Sequence, residues 1–60
     1  MDRVDALIEM FINGNLSSVK GALESLAPIE AAAFAAYMLE RMGEKHRASF
    51  LRCLERWSNI

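Results

Sequence analysis

The chain has one cysteine, Cys53, so no disulfide can form within it. A lone cysteine fits a reducing compartment and a packing role. There is likewise one histidine, His46, seven residues before Cys53. On a helix that spacing is roughly 10 Å along the axis, too far for a Cys–His hydrogen bond. With no further Cys or His to complete a ligand set, no metal site is expected, and nothing points to a cofactor. The three glycines, Gly14, Gly21 and Gly43, are scattered and form no loop that would cradle phosphate. Ser17 and Ser18 have no histidine near them in sequence and suit helix capping. Asp5 and Glu9 lie at the i, i+4 spacing of two carboxylates solvated beside one another. An enzyme needs reactive groups converging in a pocket, and this inventory leads to the expectation of a non-enzymatic protein.

Long apolar runs are missing too. The apolar stretch Ala31–Leu39 rises only about 14 Å as a helix, against about 30 Å for a bilayer core. No uninterrupted apolar segment follows the opening MDRVD, so no secretory signal is expected and the reading is cytoplasmic, without membrane insertion. Net charge is −1, too small for long-range steering of a polyanion by the whole molecule. The charge is nevertheless uneven. Residues 1–30 hold five acids against two bases, −3, and residues 31–60 hold five bases against three acids, +2.

What is present is apolar and helical. Hydrophobic residues make up 53% of the chain, on the high side for a globular domain. No alternation of period two persists anywhere, which excludes strands, and the fold class is all-α. Punctuation at Asn13-Gly14-Asn15, Pro28 and Gly43 divides one domain, residues 1–60, into helices near 2–13, 16–26, 28–42 and 44–58. Val4, Leu7, Ile8 and Phe11 form one face of the first helix, with Asp2, Asp5 and Glu9 opposite. Leu16, Val19, Leu23 and Leu26 line the second, whose N-cap falls to Asn15 or Ser17. Phe50, Leu54 and Trp57 share one face of the fourth, flanked by Cys53 and His46.

The third segment, IEAAAFAAYMLERMG at residues 29–43, differs from the others. Phe34, Met38 and Met42 fall on one side with Ala31 and Ala35. Ile29, Ala32, Ala36 and Leu39 fall on the other, near Ala33. A helix with two apolar faces needs cover on both. A chain of this length buries only about 60% of the surface its unfolded form exposes, and small folds often recruit a second subunit. The sequence therefore predicts a bundle of three to four short helices that completes its core by homodimerisation. The candidate subunit or partner interface is Ala32, Ala36, Leu39, Phe50 and Trp57, with alanines allowing close approach.

Two functions are compatible with these features. The first is a small protein–protein interaction module: a homodimeric regulator, adaptor or inhibitor that occupies a surface on another protein. The alternative is a regulator that binds RNA or DNA through the row Lys45, Arg52 and Arg56 on the last helix, with Arg41 and Arg47 nearby. Glu44 and Glu55 interrupt that face. The LESL of residues 23–26 and LRCLERW of residues 51–57 resemble the Rop family of plasmid RNA-binding regulators, helical hairpins that dimerise into a four-helix bundle. NGN at residues 13–15 and Pro28 depart from that pattern, and no functional residue carries over.

Overall fold

A computed structural model describes residues 2–58 of the chain. Its elements are four α-helices, α1 Arg3–Ile12, α2 Leu16–Glu24, α3 Pro28–Arg41 and α4 Glu44–Ser58. There is no strand among the described residues.

Each boundary has a local cause. Asp2 is the N-cap of α1, its Oδ1 accepting the Asp5 N–H at 2.9 Å. At the other end Gly14 takes a φ of +83°, a conformation that costs a residue with a Cβ roughly 1–2 kcal/mol. That turn lets the Gly14 N–H reach the Phe11 carbonyl at 3.0 Å and the Asn15 N–H reach the Met10 carbonyl at 2.9 Å. The pair closes a Schellman motif, so α1 and α2 are separate helices, not a single bent one. Helix α2 starts after Asn15, whose side chain makes no capping bond. It stops at Glu24, two residues before the 16–26 span expected from its leucines. Pro28 holds Ala27 in extended backbone (φ −60°, ψ 150°), as a residue before proline requires. The preceding turn tightens accordingly, with the Leu26 N–H on the Leu23 carbonyl at 3.2 Å and the Ser25 hydroxyl on the Ala22 carbonyl at 2.7 Å.

Pro28 occupies the first turn of α3, where its missing N–H is not needed. Glu30 Oε1 accepts the Ala27 N–H at 3.2 Å. That is half of a capping box, since the Ala27 methyl cannot return a bond to the Glu30 N–H. Ala27→Ser supplies the missing acceptor at a position whose backbone is already extended. Chemical denaturation should show a gain of about 0.5–2 kcal/mol, and a variant no more stable than the parent would refute this account of the cap. Helix α3 ends when Met42 turns extended (ψ 154°). The Gly43 carbonyl then accepts the N–H groups of His46 and Arg47, both at 3.0 Å, and opens α4.

Helices α1, α2 and α3 pack closely on one another, while the α4 backbone approaches them less closely. Bulky side chains bridge that gap. Phe50 meets Phe11 edge-to-face with ring centroids 5.1 Å apart, and Trp57 meets Phe50 at 6.4 Å. The core consists of Val4, Leu7, Phe11, Val19, Leu23, Met38, Met42, Phe50 and Cys53. Of these Phe50, Met38 and Val19 are the largest fully enclosed side chains, and among the described residues no polar side chain is buried with them. The radius of gyration, 10.4 Å, equals the roughly 10.4 Å expected of a compact chain of this length. No helix is splayed away from the rest.

Candidate interaction surfaces

The two apolar faces of α3 have different fates. Met38 and Met42 are buried, Phe34 and Ala35 are half-buried against the core, and Ala31 is half-buried beside them. On the opposite face Ala32, Ala33 and Ala36 are exposed, with Ile29 81% and Tyr37 50% accessible. Leu39 stands at the boundary, half-buried against the core. Glu40 is the single charged residue among this outer set, flanked by Glu30 and Arg41 on the helix's exposed side.

Phe50 requires a correction. Expected as a surface residue, it has no accessible area and is enclosed by its own chain. The reason is the wider spacing of α4 from the other helices, which its ring spans together with Cys53, Leu54 and Trp57. Trp57 is half-buried. It lines a groove of about 320 Å³ between α2, α3 and α4, together with Leu23, Ala31, Ala32, Ala35 and Leu54. Lys20 and Glu24, 3.6 Å apart, form one wall. Two of the expected interface residues, Ala32 and Trp57, thus share one concavity, and Ala32 joins it to the outer face of α3. A second groove, about 290 Å³, lies between α1, α2 and α3 under Met10, Leu26 and Phe34, with Arg3 among its lining. His46 is half-buried at the start of α4 and Cys53 is buried, and neither lines either of these two grooves. Among the described residues no three His, Cys, Asp or Glu side chains converge as metal ligands.

The basic residues divide into two groups. Arg41 Nη1 donates to both Asp2 oxygens, at 2.8 and 3.1 Å, and to Asp5 Oδ1 at 3.3 Å. The Asp5 N–H and then the Arg41 guanidinium hold the Asp2 carboxyl below its usual range, and Asp2 raises Arg41 in return. The groups are exposed, where such pairs contribute little net stability. Their consequence is geometric, a tie between the C-terminal end of α3 and the N-terminal end of α1. Arg47 Nε donates to the Leu39 carbonyl at 3.2 Å, satisfying a free carbonyl near the end of α3. Arg41 is thus paired with acids, whereas Arg47 keeps its charge and is directed toward the end of α3. Lys45, Arg52 and Arg56 are all exposed, and among the described residues none of them joins an ion pair or a side-chain hydrogen bond. Sequence spacing did not reveal the Arg41–Asp2 tie, although the opposite charges of the two halves of the chain hinted at it.

No family model, curated protein or solved structure matches this chain. No helix among the described residues is long and apolar enough to cross a membrane.

Proposed function

We propose that this protein is a non-enzymatic interaction module that pairs with a second copy of itself through the outer face of α3. The resulting dimer is a cytoplasmic regulator, adaptor or inhibitor that occupies a surface on another protein. One observation carries the reading: an isoleucine with 81% of its surface in water stands on a helix face shared with Ala32, Ala33, Ala36 and Tyr37, where Glu40 is the one charged residue. Isolated exposed apolar residues are ordinary. Several on one helix face, continuous through Ala32 with an apolar groove, form the kind of patch that marks a binding site. Small residues let two such helices approach closely, and a two-fold axis lets the same patch serve both sides. Specific interfaces bury roughly 800 Å² per partner. Against a total accessible surface of 4299 Å², that is about one fifth of the chain.

Light scattering after size-exclusion, over a hundredfold range of concentration, tests the pairing. The parent should have the mass of two chains, and the double variant Ile29→Glu, Ala36→Glu the mass of one with unchanged helicity. A parent that stays a single chain throughout, or a double variant that remains paired, overturns the reading.

A further inference from the structure

We propose that the outward row of α4, formed by Lys45, Ser49, Arg52 and Arg56, docks on the phosphate backbone of double-stranded DNA. A single chain carries the whole row, so this does not depend on self-association through α3. At 3.6 residues per turn the four side chains fall within an arc of about 60°, and they span roughly 16 Å along the axis. All four are exposed. Of the other cations, Arg41 is paired with Asp2 and Asp5, while Arg47 keeps its charge but lies on the far side of α4 from the row, its Nε on the Leu39 carbonyl. What is left is a local concentration of positive charge on a molecule whose formal net charge is −1.

The chemistry of the row selects its occupant. Guanidinium forks and an ammonium both match phosphate oxygens. The phosphates of a DNA strand form a dense, regular line of charge that winds around the duplex, so the row meets several of them where it lies along a strand's own path. An acidic protein surface would need three carboxylates at matching positions. Single strands are held by aromatic side chains on which bases stack, and the row has none. Both aromatic residues of α4, Phe50 and Trp57, turn inward and pack on each other. RNA duplexes are read through 2′-hydroxyls across the minor groove, for which Ser49 offers a single hydroxyl. The row contains no set of side chains suited to base edges, so contact is to backbone and indifferent to sequence. Glu44 and Glu55, about 60–120° from the row on the helix wheel, repel the backbone along one side and set the edge of the footprint.

Fluorescence anisotropy of the full chain with a labelled 20-base-pair duplex, and with one of its strands, is the test. Neutralising three phosphates predicts a slope of log affinity against log salt of about −2.7 per chain, or about 40-fold weaker binding at 200 mM than at 50 mM salt. Arg52→Gln should reduce the slope to about −1.8, and Glu55→Lys should steepen it to about −3.6. Replacing Lys45, Arg52 and Arg56 together by Gln should abolish binding while circular dichroism stays unchanged, because none of the three packs in the core. The proposal fails if the parent does not bind the duplex at 50 mM salt, or if the strand binds more tightly than the duplex. It fails equally if the triple variant retains the parent's salt dependence. Glu55→Lys is the safeguard against misfolding of the triple variant, since a slope it leaves unchanged is also a refutation.

Discussion

Phe50→Ala is expected to leave the chain without a cooperative fold. A buried Phe→Ala change costs about 3–5 kcal/mol, from lost transfer energy and the cavity left behind. At 0.05–0.15 kcal/mol per residue, a chain of this length has roughly 3–9 kcal/mol in total. The position aggravates the loss. Phe50 is fully enclosed and its ring is in edge-to-face contact with Phe11 on one side and Trp57 on the other. Such pairs contribute about 0.5–1.5 kcal/mol beyond their area, and both go together. Because α4 lies farther from the bundle than the other helices, no backbone stands ready to collapse into the space. A far-UV thermal melt should lose its sigmoidal transition. A variant that still melts cooperatively near the parent temperature would mean that α4 is not anchored through this ring.

The second large effect is expected at Met38, the fully enclosed residue of α3. Met38→Ala should destabilise by about 2–5 kcal/mol, whereas Met38→Leu, which keeps volume and apolarity, should cost less than about 1.5 kcal/mol. Urea titration of the two variants separates a packing role from an adaptable binding role. In a flexible thioether surface the chain's stability would be indifferent to both changes. Equal stability of the Ala and Leu variants would remove Met38 from the core. Met10, by comparison, is 37% exposed and borders the groove beside Arg3.

Much of this arrangement could be read from the residues, because helix faces follow from spacing. Val4, Leu7 and Phe11, or Phe50, Cys53 and Trp57, are apolar at i, i+3 and i+7 or close to it, and one stripe has one destination. Four helices follow from the turn chemistry of Gly14, Pro28 and Gly43. On α3 this logic gave two stripes and no means of choosing between them. The choice is made by bulk: Phe34, Met38 and Met42 fill the space against the other helices, and the side dominated by alanine is left outward. Volume across the bundle decides that, and a wheel does not contain it. The same limitation misplaced Phe50, whose burial depends on how far α4 stands from α1. Arg41 and Arg47 looked like members of a basic patch because their partners, Asp2 and the Leu39 carbonyl, are set by tertiary approach. The three cations left on α4 were visible in the sequence, but the absence of partners for them among the described residues was not.

The thiol of Cys53, a residue with about 9% of its surface accessible, gives the molecule a built-in clock. A reagent in solution meets that sulfur far more readily in the moments when the last helix lifts from its seat. The rate of alkylation therefore counts those excursions, and since the chain has no second thiol, every labelled molecule records the same event.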